Sequence, residues 1–338
     1  MDNMVKTLYN VMMNHVVKHL FIINPKSFRK KTKQNQVVVK IHEFFREIEN
    51  SEYDIFVSRF PRDAVGFIPL FAKDLPDSTT LRVYAVGGDG ILFDCLNGIV
   101  GLKNVELAAI PYGYTNNFMQ GFEKIDLFRI MSQQYNAPAI PMDVMRCGDH
   151  YALNYCIIGV EAEAVHWAEQ VREQMEKGHA LSQWLCRRLY PLFYFAGGLA
   201  ACSDKQVLYQ RYEVDVDGEN ISGIFQGFSI FNSPYYGGKF HPISSAMPND
   251  GILDMLTIRN KGILRTFCLY PIYEYGHYKM FPRNYVLKQG QKITIRSGDT
   301  LVISMDGIVF FEPKLEIELL PAAIQFVDAG GRGYRGTV

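Results

Sequence analysis

The sequence predicts a doubly wound α/β domain followed by a β-sandwich-like domain with helical insertions. Three observations carry that expectation. From His19 onward, short β-rich runs alternate with amphipathic helical stretches, the pattern that builds a parallel sheet covered by helices. Beyond Pro138 and Pro141 strand follows strand at short spacing, as in antiparallel β structure. The 338 residues, 48% of them apolar, suffice for two cores. The boundary is therefore expected at 140/141, giving an α/β domain over 1–140 and a second domain over 141–338 whose tail packs back on the first.

Each element has its own signal. HLFIIN (19–24) reads as a strand, and 32–48 as a helix with Val38, Ile41, Phe44, Phe45 and Ile48 on one face. YDIFVS is the next strand, and 61–72 a helix opened by Pro61. TTLRVYAV (79–86), a helix over 91–100 and VELAAI (105–110) complete the half. MDVMRC and YALNYCIIGV then flank the turn formers Gly148 and Asp149, followed by a helical block over 161–200. RYEVDV and GIFQGFSIF are joined through Asp217 and Gly218, and further β runs fall at 285–287, 292–295, 300–305 and 314–320. The glycine-rich tail from Gly330 looks loosely held.

Thirty-five basic residues balance 35 acidic ones, so no global field draws the chain to nucleic acid or to an anionic membrane. Six cysteines without paired spacing read as reduced thiols of a cytoplasmic protein. The N-terminal stretch lacks the features of a secretory leader. The longest apolar stretch, 189–202, is too short to span a bilayer and is interrupted by Pro191 and the Gly197–Gly198 pair, so no transmembrane segment is expected.

Chemistry concentrates at strand ends. In AVGGDGILFDCLNGIV an apolar strand runs through Gly87, Gly88, Asp89 and Gly90 directly into a helix, where close backbone approach and unpaired N–H groups suit a phosphate. A carboxylate there must hold a metal, take a proton or bond a ribose, unless Asp89 is simply a polar cap on an ordinary βα turn. A second loop, PYGYTNNF, follows the next strand with Gly113 and Asn116, and parallel strands place both loops on one sheet edge. The first strand ends in Asn24, Pro25, Lys26 and Ser27; Asn24 and Ser27 are the better ligand candidates, and the basic run from Arg29 to Lys33 reads as a solvated face.

In this order NPKS, GGDG, PYGYTNNF, PYYGGKFHPISSAMPNDGILD and a C-terminal MDG resemble the diacylglycerol kinase catalytic-domain family, over about residues 19–320. That family includes soluble bacterial lipid kinases and sphingosine and ceramide kinases, with NAD kinases as distant relatives. The resemblance implies an active site in the cleft between an α/β domain and a β-sandwich, and transfer of the γ-phosphoryl group of ATP to a lipid hydroxyl with Mg²⁺. It implies that Asn24, Ser27, Gly87, Gly88, Gly90, Gly113 and Asn116 line the nucleotide, that Asp89 and Asp306 are catalytic, and that Asp250 holds a structural Mg²⁺. The implied partner is a lipid substrate at a membrane surface, met by a cytoplasmic or peripheral protein.

Departures from the family pattern accompany the matches. Phe28 stands where a glycine is usual, with a bulky side chain where phosphate approaches, and Ile91 replaces a threonine. Leu92, Phe93 and Asp94 keep an acid and lose an amide; Tyr114 and Asn117 replace a hydroxyl and a carboxylate. Ile308 stands where the family carries its proposed general base, a glutamate, and Glu312 lies too far along the same strand face to replace it. A kinase-fold relative that binds nucleotide or lipid without catalysis is thus the alternative. Asp217, Gly218 and Glu219 spell DGE but read as a hairpin turn.

The helical block carries Trp167, Trp184, Tyr190, Phe193, Tyr194 and Phe195 beside Arg187 and Arg188, either a lid for an acyl chain or, the preferred reading, a helix packed on the sandwich. His166, His179, His241 and His277 share no metal-ligand spacing. An exposed sandwich edge offers a way to pair two chains as a homodimer.

Overall fold

The computed structural model describes residues 16–28, 31–49, 51–178, 180–238, 240–259 and 262–336. The leader reading of the first 15 residues, Arg29, Lys30 and His179, and the side chains of Trp184, Arg187, Arg188 and Tyr190, lie outside the described residues. Two compact units form. One holds the described residues up to Met142 together with those from Ala322, and the other is Asp143–Pro321.

In the first unit β1 (Val16–Ile23), α1 (Lys31–Arg46), β2 (Glu52–Val57), α2 (Asp63–Lys73), β3 (Thr79–Gly87), α3 (Asp89–Ile99) and β4 (Val105–Pro111) follow in alternation, and short 3-10 turns lead to α4 (Met131–Asn136). β1 pairs in parallel with β2 and β3, and β3 with β4. β1 and β3 are buried along most of their length, as expected of a parallel sheet covered by helices on both faces. The core gathers Phe21, Ile23, Tyr84, Val86 and Ile110 of the sheet with Val37, Ile41 and Phe45 of α1. Val37, not Val38, is the fully buried valine: 37, 41 and 45 form one i, i+4 row, and Val38 sits at its margin. α2 begins at Asp63 rather than at Pro61, after Arg62 in a left-handed conformation (φ 69°).

The second unit comprises most of β5 (Ala139–Cys147), then β6 (His150–Ala152), β7 (Tyr155–Gly159), α5 (Val160–Glu176), α6 (Ala180–Ser203), α7 (Lys205–Leu208), β8 (Arg211–Val216), β9 (Glu219–Asn220), β10 (Gly223–Phe231), β11 (Leu253–Arg259), α8 (Ile263–Glu274), β12 (Tyr285–Gly290), β13 (Lys292–Met305) and the first part of β14 (Ile308–Val327). Its ladders are antiparallel in the order β12-β11-β10-β7-β13-β14. β13 is one long strand where two runs were expected. Its first half pairs with β8 and its end with β7, with a register shift between Arg296 and Leu301. Asp217 and Gly218 (φ 50° and 89°) form the expected hairpin turn. The Asp217 carboxylate accepts the N–H groups of Gln291 and Lys292, which identifies the DGE triplet as structural.

Two expectations are corrected. α6 runs unbroken through Pro191, Gly197 and Gly198, because a Cβ at Gly197 would lie 2.8 Å from the Ala164 carbonyl: the glycine lets α5 and α6 approach closely. No helix among the described residues is long and apolar enough to cross a membrane. The tail is not loose, since Tyr334 is fully buried among Phe118, Phe122 and Phe326 and Asp328 accepts the N–H groups of Gly330 and Gly333. Val327 of β14 packs in the core of the first unit, where β14 pairs in parallel with β4 through Gln325 and Phe326.

His19 sits inside the first core, its Nδ1 2.8 Å from the Tyr84 hydroxyl and its ring stacked on Tyr84 and Tyr135. Burial, and then the charges of Arg82 and Lys18, push its imidazole down to about 3 from 6.5. Between those values the unfolded chain binds the proton that the folded one refuses, so stability is full above 6.5 and lost as pH falls towards 3. The expected cost at pH 5 is about 2 kcal/mol. Urea unfolding at pH 7 and pH 5 should show this loss and should show much less of it in His19→Gln.

Candidate functional site

Three parallel strands end side by side. Ile23 is in register with Val86, and Gly87 with Pro111, so the segments that follow β1, β3 and β4 share the carboxyl edge of the first sheet. The Asn24 N–H donates to the Val86 carbonyl (3.2 Å), and the N–H groups of Tyr112 and Gly113 both donate to Gly87 O (2.7 and 2.9 Å).

Glycine is required where the loops touch. A Cβ at Gly113 would lie 2.3 Å from the Cα of Gly88, and one at Gly88 would lie 2.9 Å from the Cα of Gly113. A Cβ at Gly87 would meet Ser27 Oγ at 2.6 Å, which places the Ser27 hydroxyl against the first loop. Gly88 caps α3 with no side-chain hydrogen bond, so the first turn of that helix keeps amides for an anion, and Gly90 is exposed beside it. Gly113→Ala is expected to push the two backbones apart and lower the melting temperature, which thermal unfolding of the two proteins checks.

Asp89 joins the loops chemically. Its carboxylate accepts the Thr115 hydroxyl (2.5 Å), the Asn117 N–H (2.6 Å) and, more weakly, the Asn117 side-chain amide (3.4 Å). Burial raises its pKa, opposed by hydrogen bonds from Thr115 and from backbone amides. Thr115 and Asn117, which lie in the stretch that departs from the family pattern, are thus the partners that hold Asp89. Tyr114 between them is 84% exposed and points away.

Several predicted ligands turn out to serve the loops themselves. Asn116, with φ 48°, accepts the Gly113 N–H (3.0 Å) and donates to Gly113 O (2.9 Å), closing its own loop. The Asn24 side chain accepts the Lys26 N–H and caps the 3-10 turn Pro25–Ser27. Phe28 does not stand in a phosphate's way. Its backbone is extended (φ −100°), which any residue adopts, and its ring is buried in the core against Tyr112. Ile91 is likewise a core residue. Asp94 receives the Arg62 N–H (3.1 Å) and guanidinium (3.5 Å), which lies over the Phe93 ring at 4.4 Å. The retained acid therefore fixes the left-handed residue that starts α2.

In the second unit Asp306 anchors the backbone of a neighbouring segment. With Gly307 (φ 48° and 86°) it makes the turn from β13 to β14. Its carboxylate accepts three backbone N–H groups, from Leu153 (2.9 Å), Asn154 (3.1 Å) and Tyr155 (2.9 Å). Ile308 pairs with Met305 at the start of β14, and Glu312 lies four residues along, about 13 Å away at strand rise. Asp250 is exposed, and its Oδ1 accepts the Ile252 N–H of its own turn. Burial, and then the charges of Asp254 and Asp143, raise its pKa. Asp143 is itself bonded to the Gly251 N–H and Asp254 to Gln289, and among the described residues no group of three His, Cys, Asp or Glu is set to hold a metal. These side chains do not make a metal site on their own.

A parallel sheet with glycine loops on its carboxyl edge, followed by an antiparallel β domain, is the architecture of the diacylglycerol kinases. Residues 18–147 match the diacylglycerol kinase catalytic domain, and residues 181–328 the YegS C-terminal NAD kinase beta sandwich-like domain. The chain belongs to the diacylglycerol kinase family. Among similar proteins, one of Staphylococcus epidermidis provisionally named a lipid kinase is 24% identical over 249 residues, 73% of this chain and 76% of its own. A provisionally named lipid kinase of Staphylococcus aureus is 21% identical over 258 residues, 76% of this chain and 79% of its own. A solved structure of a diacylglycerol kinase from Bacillus anthracis shares the fold at 19% identity with a TM-score of 0.63, covering 92% of this chain and 96% of that one.

Proposed function

We propose that the protein is an ATP-dependent lipid kinase, transferring the γ-phosphoryl group to a lipid hydroxyl with ATP taken up as its magnesium complex. The observation that carries this reading is the fused pair of loops: Gly88 packed on Gly113, with Asp89 bonded to Thr115 and Asn117, at the uncapped start of α3. Phosphoryl transfer depends mainly on positioning and electrostatic stabilisation, which such a rigid loop pair provides. This reading assigns Ser27, Gly87, Gly88 and Gly90 to the phosphates. Leu192, Phe195 and Leu199, exposed at i, i+3, i+7 spacing on α6, support the approach of a lipid at a membrane surface.

A second reading, a relative that binds nucleotide or lipid as a sensor or scaffold, is favoured by Ile308 in place of an acid. The test is transfer of labelled γ-phosphate from ATP to micellar diacylglycerol, phosphatidylglycerol, ceramide and sphingoid bases. Label in a lipid that is lost in Asp89→Ala, with the variant's fold checked by thermal unfolding, establishes the kinase. ATP binding without transfer to any of these supports the sensor reading.

A further inference from the structure

The chain as a whole is neutral, but its charge is unevenly spread. Between Asp254 and Asp299 lie eight lysines and arginines and a single acid, Glu274. Burial, and then the charge of Glu161, push the Glu274 carboxyl up to about 8, so near pH 7 it does little to offset them. Lys288 meets Glu219 and Arg296 meets Glu316 on other strands. Lys279 and Arg283, both exposed in the segment that links α8 to β12, take part in no ion pair among the described residues.

That segment holds an apolar tip between its cations. It opens at Gly276 (φ 72°), makes a 3-10 turn over His277–Met280, and closes through the Phe281 N–H on Tyr278 O and the Asn284 N–H on Phe281 O (both 2.9 Å). The Tyr278 ring is buried in the core beside Tyr285 and fixes the turn from within. Met280 (73% exposed), Phe281 (39%) and Pro282 are thus held outward in succession, between Lys279 and Arg283. Three consecutive exposed apolar residues on a fixed turn are a liability unless something covers them. A protein interface takes about 20–30 residues a side, far more than this tip offers. Nucleic acid would reward the cations and leave the apolar side chains in water. The headgroup layer of a bilayer accepts a few apolar side chains, and each cation beside an anionic surface strengthens binding about fivefold.

We infer that the Tyr275–Arg283 segment docks the protein on an anionic lipid bilayer, with Met280 and Phe281 entering the headgroup layer and Lys279 and Arg283 meeting acidic headgroups. The inference deepens the lipid-kinase reading by naming the surface on which the acceptor is met, and rests on that reading for the acceptor alone. Binding is measured without ATP, so docking and catalysis fail separately. The full chain is sedimented with vesicles of phosphatidylcholine and with vesicles of equimolar phosphatidylcholine and phosphatidylglycerol. Binding is expected to be at least about tenfold tighter to the mixed vesicles and to weaken as salt is raised. Joint Lys279→Gln and Arg283→Gln substitution is expected to weaken binding to the mixed vesicles at least about tenfold, and Met280→Ser about three- to tenfold. These side chains are exposed, so unfolding temperatures should match that of the parent. Met280→Trp adds a reporter whose emission is expected to shift to the blue on mixed vesicles, beyond any shift in the parent. Equal binding to the two vesicle types overturns the proposal, as does unchanged affinity in the Lys279→Gln, Arg283→Gln protein. Duplex DNA bound as tightly as the mixed vesicles, with Met280→Ser without effect on either, also overturns it and assigns the cations to nucleic acid. Transfer to micellar lipid by a protein that ignores vesicles overturns docking and leaves the kinase, whereas vesicle binding with the expected variant effects but no transfer keeps docking and removes catalysis.

Discussion

Ile308→Glu is expected to raise phosphoryl transfer to a lipid hydroxyl by about 10²–10⁴-fold, the usual worth of a general base. The position tolerates the change. Ile308 is only partly buried, opposite Met305 at the first position of β14, and the turn before it is held by Asp306 and not by the isoleucine. Single-turnover transfer with saturating ATP, measured for both proteins on the same lipid, isolates the chemical step. A rise confined to kcat, with nucleotide affinity unchanged, shows that the machinery is complete apart from this one acid. An unchanged rate in a folded Ile308→Glu protein removes the missing base as the limiting factor and strengthens the sensor reading.

Asp306→Ala is expected to destabilise the second unit by about 3 kcal/mol or more. Three backbone N–H groups, from Leu153, Asn154 and Tyr155, lose their acceptor together, and each buried donor left unsatisfied costs about 1–3 kcal/mol. Alanine is also disfavoured at the left-handed φ of 48°, at an additional cost of roughly 1 kcal/mol. Asp306→Asn tolerates that conformation and keeps one oxygen, so its expected cost is smaller, about 1–2 kcal/mol. Urea unfolding distinguishes these magnitudes.

Residues 306 and 307 also show what could be read from the chain. The Asp217–Gly218 pair reads as a turn from the β runs on either side, and Asp306–Gly307 is the same dipeptide between two strands with nearly the same φ values. The turn signal is present at both; at the second, the family likeness adds a catalytic reading. The α/β half was legible because short β-rich runs alternate with amphipathic helical stretches, and β3 and β4 end in Gly87 and Pro111. Phe28 was not, because φ and ψ at one position decide whether a side chain enters the core or faces the loop, and sequence carries neither angle. Asn116 and Asn24 were legible as polar loop residues, but not as groups whose side chains bond within their own turns. The hydroxyl groups that hold the Glu161 carboxylate were out of reach for a different reason: they come from residues 194, 229, 270 and 273, and no local spacing links them.

The parallel pairing of β14 with β4 sets a schedule for synthesis. Strands β1 to β4 leave the ribosome early, but the segment that pairs with the outer edge of β4, and the Tyr334 ring that fills the aromatic cluster at Phe118 and Phe122, are encoded more than 200 residues later. At elongation rates of about 5–20 residues per second, that edge waits roughly ten seconds or more for its partner. During that interval the nascent first domain presents an unpaired strand, the feature that recruits chaperones and invites pairing with neighbouring chains. Yield from expression hosts should therefore depend on chaperone supply more than the stability of the finished protein would suggest.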